Sequence, residues 1–381
     1  MICGVKLYMT ILITNAIWET YIVGAVLLLA LAISARRSKG SAFFSLQTTT
    51  EIRGVAILMV IFSHIGYFLV SDRSFLVPLS NYAGVGVDLF LILSGYGLVV
   101  SALKRPVSVG KFYLKRIRRI CLPVAAIVAG FLMLDFIFLR RTYSFKSIIE
   151  NFLGFFPRAD IYGDLNSPLW YITLLFFFSF LFPLVFRRRL PASSAVAMAG
   201  IGWLTVKYIP QLNIFSEVVL KLYQLHFLAF PLGMVIASLV NQPPNFFVLA
   251  AQQWRAVYLK FNLTIILRWA LFALAGGVLI FTYYHSYIGA GWKKEAVASL
   301  FTALAVITLF IIKKINFKIL MLFGLYSFEI YLLHWPLLYR YNFLFGKISA
   351  GAATIIYLAL FLGIGYLYHK IIGKIFISAK N

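Results

Sequence analysis

Apolar runs of about 17–22 residues follow one another almost to the C-terminus, separated by short polar stretches. That is the length an α-helix needs to cross a hydrocarbon core of ~30 Å. Helix is the form these runs must take, because an unpaired backbone amide is too costly in lipid. A spanning barrel would instead show short segments of strict alternation, and none occurs. The pattern predicts about eleven spans, near 18–35, 52–70, 84–101, 119–139, 168–186, 191–209, 222–240, 263–283, 295–312, 319–338 and 350–372. The expected fold class is all-α, a polytopic membrane helix bundle. No Gly/Ser linker, internal repeat or low-complexity tract marks a second domain. Residues 1–50, an extra N-terminal helix and its loop, precede one membrane domain over 51–381.

Composition agrees with the pattern. Some 62% of residues are apolar and 12% charged, against roughly 25% charged in a soluble domain. The formal charge of +24 raises the question of nucleic acid. The lysines and arginines sit in short loops between spans rather than on one continuous face. Membrane lipid head groups, and not nucleic acid, are therefore the expected partners. Counting them also sets an orientation. With the 36–53 loop in the cytoplasm, 22 of the 35 fall inside, among them Arg187-Arg188-Arg189 and Lys313-Lys314. The N-terminus is then outside and the C-terminus inside, in a cell (inner or plasma) membrane. The first segment has a second reading as a cleaved signal peptide ending at Ala-Leu-Ala. It lacks a basic region ahead of it, and Arg36-Arg37 behind it reads as a cytoplasmic stop. Two cysteines, Cys3 and Cys121, are too few for a disulfide framework or a thiolate metal site. No HExxH-type spacing points to a metal either.

Polar and ionisable side chains inside a span are expensive, so each one is a candidate for function. Arg53 and His64 lie eleven residues apart on the second span, about three helical turns, so both face one side. The plain alternative is a border arginine and a histidine hydrogen-bonded within the bundle. Asp88, near the start of the third span, stands at a depth where it could meet His64 and orient the imidazole. Pairing with another span or capping its own helix would serve equally well. The glycines around it suit close helix packing as readily as a site. Arg116 and Arg119 are i and i+3 on a basic segment and suit phosphate oxygens, or they simply anchor the topology. Glu329 sits mid-membrane in a late span, with His334 nearer the outer face. Trp170 and Tyr171, after Asn166-Ser167-Pro168, fit an interfacial aromatic belt equally well. His226, His285 and His369 fall at span ends or in loops and receive no role.

Several of these residues occur in a familiar order. Arg53–x10–His64 is followed by Gly-Val-Asp-Leu-Phe-Leu-Ile-Leu-Ser-Gly-Tyr, then Phe-x3-Arg-x2-Arg-Ile ahead of Pro123, Leu169-Trp170-Tyr171, and Tyr-Leu-Leu-His-Trp-Pro. The chain resembles acyltransferase family 3, membrane O-acyltransferases of bacterial surface glycans, from about Glu51 to Ile372, in its stand-alone form. The resemblance implies ten spanning helices with both ends cytoplasmic, plus the extra first helix. It also implies transfer of an acyl group, expected to be acetyl, from cytoplasmic acetyl-CoA to a hydroxyl of an extracytoplasmic or lipid-linked glycan. Arg53, Arg116 and Arg119 would hold the coenzyme phosphates. His64 would act as base or brief acyl carrier, with Asp88 or Glu329 holding its ring. Ser94, Trp170 and His334 fall to the acceptor side. A rival from another class, a transporter or glycan flippase, predicts broken helices in corresponding halves, and the sequence suggests none. An inactive relative acting as scaffold is the third reading, and the intact Arg53–His64 pair speaks against it.

Overall fold

The computed structural model describes residues 11–38, 44–106, 108–161, 163–242, 263–285 and 290–372. Every predicted span is helical there. The chain passes through α1 (Ala16–Ser34), then α2 (Leu46–Ser63), which runs on as a π-helical turn to Leu69, then α3 (Ala83–Lys104). α4 (Val109–Arg116), a second π-helical turn at 117–121 and α5 (Leu122–Leu139) form the next passage. A short α6 (Phe145–Phe152) lies in the connection to α7 (Trp170–Val185) and α8 (Pro191–Tyr208). The pair α9 (Glu217–His226) and α10 (Ala229–Asn241) follows, then α11 (Leu263–Tyr284) and α12 (Trp292–Ile312). The pair α13 (Lys318–Leu325) and α14 (Ser327–Tyr339) leads to α15 (Ala350–Ile372).

Among the described residues, nine helical stretches are long and apolar enough to cross a membrane, or ten when α13 and α14 are taken as one span. The expected span outside that number is α8, whose Ser193, Ser194, Thr205 and Lys207 dilute its apolar character. Parts of the expected inside loops, at 39–43 and 243–262, the tail from 373 onward and Cys3 lie outside the described residues.

The bundle is drawn together where glycines remove the side chain from a helix crossing. Gly54 on α2 and Gly324 on α13 face each other: a Cβ on Gly54 would lie 2.0 Å from the Leu320 carbonyl, and one on Gly324 1.7 Å from the Thr50 carbonyl. Gly95 on α3 and Gly233 on α10 repeat the arrangement against the Phe230 and Ile92 carbonyls. Lipid offers no hydrophobic gain for helix association, so close van der Waals contact of this kind supplies it.

One expectation needs correcting. The late span is not a single straight helix: α13 and α14 are bent by 76° at Tyr326. Gly324 pins α13 against α2, while a separate clamp described below fixes α14. Ser327 Oγ donates to the freed Gly324 carbonyl at the corner (3.0 Å).

Chain alternation gathers 35–38, 44–46, 105–106, 108–119, 186–190 and 313–318 at one end, which we term the arginine end. The other, the loop end, carries 70–82, 140–161, 163–169 and 340–349. At the arginine end β1 (Ala35–Arg37) pairs antiparallel with β2 (Ile315–Phe317). Glu51, fully buried, accepts from Lys313 Nζ (2.8 Å) and from the Phe317 N–H beside this clip. The first helix is held along its length, with Glu19 accepting from Gly351 N–H (2.9 Å) and Thr20 Oγ1 from Leu76 N–H (2.8 Å). At the loop end a buried Asp135 binds Arg340, Tyr143 and Tyr341, and Arg340 also donates to the Asp164 carbonyl. Burial, and then the bond to Asp135, push both tyrosine hydroxyls above their usual range. This cluster joins α5, the 140–167 connection and the end of α14.

Candidate active site

His64 caps α2 at the point where its hydrogen bonding changes to the π pattern. Such turns change the direction of a side chain relative to a regular helix and recur at functional sites. The ring meets His334 on α14, with His64 Nδ1 2.7 Å from His334 Nε2 and the two planes 14° apart. His334 is fully buried, and its Nδ1 faces the carbonyls of Tyr331 (2.8 Å) and Ile330 (3.2 Å). Carbonyls only accept, so in the neutral pair His334 Nδ1 carries the hydrogen and its Nε2 the lone pair. His64 Nδ1 must then donate to that lone pair, which leaves His64 Nε2 as a base. The backbone thus sets the tautomer of both rings.

The position of His334 follows from a proline two residues on. Pro336 lies inside α14 and has no N–H for the carbonyl four residues back, Leu332. Asn166 Nδ2 donates to that carbonyl instead (2.8 Å), and the Tyr331 hydroxyl reaches back to the Pro168 carbonyl. The Asn-Ser-Pro turn ahead of α7 is therefore a clamp on the histidine helix.

His64 opens onto a cavity of about 300 Å3 at the loop end, whose wall also includes Trp170, His226, Ser299, Tyr331 and Trp335. The structure places Asp88 on this wall's far side, and not against His64. Its Oδ1 accepts from His226 Nδ1 (2.7 Å) and its Oδ2 from Ser299 Oγ (2.5 Å). The reason is rotation about the α3 axis. Gly86 packs on α2, where a Cβ would lie 2.6 Å from the Ala56 carbonyl. Asp88, two residues further and so about 200° around the helix, faces the opposite way. Glu329 is likewise absent from His64: it accepts from His369 Nδ1 (2.6 Å) on α15, one turn beyond the bend at Tyr326. The acidic partner expected for His64 is replaced by His334.

Nearer the arginine end, Tyr171 gathers three of the other expected residues. Ser94 sits beside its hydroxyl, and Arg53 and Arg116 lie within electrostatic reach of it. Arg119, exposed, adjoins Arg116 across the second π-helical turn. Among the described residues Arg53 and Arg116 have no carboxylate partner, because the acids that form ion pairs take Lys146, Arg158, His226, Lys313, Arg340 and His369. Two half-buried guanidinium groups therefore lack a protein anion, and a phosphate would supply one. Among the described residues no three His, Cys, Asp or Glu side chains come together as a metal site.

The sequence hides His226, because a span starting at 222 leaves it near the membrane border. The span begins at Glu217, and the histidine stands within it at the break between α9 and α10. An earlier start was signalled by Ser216, whose side chain caps α9 by accepting from Val219 N–H (3.4 Å).

Comparison with known proteins adds one match. No curated protein and no solved structure matches the chain. A family model described as an acyltransferase domain, that of acyltransferase 3, matches residues 52–370. The match takes in the His64–His334 pair, the cavity and the arginine group, and a membrane acyltransferase is what these helices enclose. The chain belongs to the acyltransferase 3 family.

Proposed function

We propose that the protein is an O-acyltransferase that moves an acetyl group from acetyl-CoA to a hydroxyl of a glycan, free or lipid-linked. The observation that carries this reading is the fixed tautomer of His64, a base whose Nε2 has no hydrogen-bond partner among the described residues, set between arginines that no described carboxylate pairs and an open cavity. Arg53, Arg116 and Arg119 receive the coenzyme phosphates. Helix geometry gives roughly 16 Å along α2 from Arg53 to His64, a distance for the extended pantetheine arm to cover. Ser94 and Tyr171 line that approach. Trp170 offers the cavity an aromatic face of the kind sugar rings stack on, and His334 holds His64. His64 either takes the proton of the accepting hydroxyl or carries the acyl group between donor and acceptor, and both roles use Nε2. The arginine end is the cytoplasmic one, where acetyl-CoA is found, and the excess of basic residues there agrees.

The test is His64→Ala, measured as alkali-labile acetyl on envelope glycans of cells that depend on this gene. Base or nucleophilic catalysis contributes about 10²–10⁴-fold. A variant that inserts normally and still acetylates within threefold of wild type would overturn the assignment.

A further inference from the structure

The cavity holds a second imidazole. His226 ends α9, and the chain does not resume a helix until Ala229. Its ring is therefore placed by what surrounds it, and each contact constrains it. Asp88 accepts from Nδ1, so that nitrogen carries the hydrogen and Nε2 keeps a lone pair. Ser299 on α12 donates to the other carboxylate oxygen, and Trp170 stacks on the ring with centroids 5.7 Å apart and planes at 20°. Gly84, one turn before Asp88 on the same face of α3, presents no side chain to the ring, where an added Cβ would stand 3.4 Å from Cε1 and 4.0 Å from Nε2, and both residues line the cavity. Among the described residues no protein atom hydrogen-bonds that nitrogen.

The arrangement is costly. Asp88 has no exposed surface and His226 is 2% exposed, inside a bundle where an apolar pair would pack without desolvating a carboxylate. Intramembrane charge of this kind is retained for chemistry far more often than for stability. The chemistry in question leaves a vacancy for it. Ester formation requires the hydroxyl to lose its proton as its oxygen bonds to the acyl carbon. His64 has one free nitrogen, and if that nitrogen carries the acyl group it cannot also take the proton.

We propose that His226, positioned by Asp88, is the general base for the accepting hydroxyl, while His64 serves the acyl group from across the cavity. The inference rests on the acyl-transfer reading above. In the first step His64 Nε2 attacks the thioester carbon, the C–S bond breaks and the thiolate leaves. In the second, the hydroxyl O–H breaks, its proton goes to His226 Nε2, its oxygen bonds to the acyl carbon, and the C–N bond to His64 breaks. The proton on His226 then passes through the cavity water to the thiolate, giving the thiol. During the second step Asp88 stabilises the imidazolium, and Ser299 keeps the carboxylate in register.

An acceptor that needs no base separates this role from a structural one. Hydroxylamine attacks acyl groups as a neutral nucleophile, so its acylation depends on His64 and not on His226. Purified protein is given acetyl-CoA and hydroxylamine, with thiol release above the protein-free rate as the readout. The same variants are scored in cells for alkali-labile acetyl on envelope glycans. His226→Gln, which keeps a donor for Asp88, is expected to retain hydroxylamine acylation within threefold and to lose glycan esters by at least about a hundredfold. Asp88→Asn should show the same split in weaker form, and His64→Ala should lose both activities. Glycan esters kept within threefold in His226→Gln overturn the proposal. So does an equal loss of both activities, which would make the pair a structural one. Failure of the parent reading looks different: the wild-type protein itself would release no thiol above the protein-free rate and place no gene-dependent ester on glycans.

Discussion

His334 never reaches the cavity, yet its ring decides where the proton on His64 sits. His334→Ala leaves His64 Nδ1 without its acceptor, and acetyl transfer should fall by about a hundredfold. His334→Gln restores an acceptor oxygen and should recover most of the loss in the same glycan-ester assay. The arginines make a different prediction. Charge-assisted phosphate contacts are worth about 1.5–3 kcal/mol each, so Arg116→Gln with Arg119→Gln should raise the apparent KM for acetyl-CoA more than tenfold at unchanged protein abundance. A fall in abundance alone would make them topology anchors. Individual candidates were legible in the sequence because a charge or imidazole inside an apolar run stands out. Their partners were not. Depth along the helix put Asp88 level with His64, but its bearing around α3 depends on which face Gly86 turns to α2, and only the packed bundle supplies that.

Helices were readable at nearly their full extent, since apolar run length is set by membrane thickness and by the backbone's need for internal hydrogen bonds. Breaks within them were not readable. The corner at Tyr326 comes from two competing anchors, Gly324 against Thr50 and the Asn166 clamp on Leu332, and both partners are more than a hundred residues away. The role of Pro336 is a case in point: the sequence shows a proline in a helix, whereas the side chain that takes up its orphaned carbonyl lies across the bundle. Gly54→Val should drive α2 and α13 apart, because its Cβ alone would collide with the Leu320 carbonyl. Folded protein recovered from membranes, scored by monodispersity in mild detergent, should fall sharply. Gly97→Ala makes the comparison, for it has open space within 4 Å and should leave recovery unchanged.

At the scale of the whole molecule, the two ends of the bundle differ in character, with arginines that no described carboxylate pairs nearer one and the imidazole-lined cavity at the other. If the arginine end is cytoplasmic, a single cysteine at Lys111 should resist an impermeant thiol reagent in intact cells, and one at Asp72 should label. Reversed labelling would put the coenzyme on the wrong side. The clip between β1 and β2 bears on how such a molecule is made. Its strands are separated by about 280 residues, and translation proceeds at roughly 5–20 residues per second. The first helix therefore leaves the ribosome some fifteen seconds to a minute before the strand that completes its pairing. Until then Glu51 has neither Lys313 nor the Phe317 N–H, and a carboxylate destined for full burial must stay hydrated at the membrane surface. The early helices must wait in a looser arrangement that closes only when the last third of the chain arrives, so a nascent chain truncated before residue 313 should present Glu51 and the 35–37 strand to protease from the arginine end.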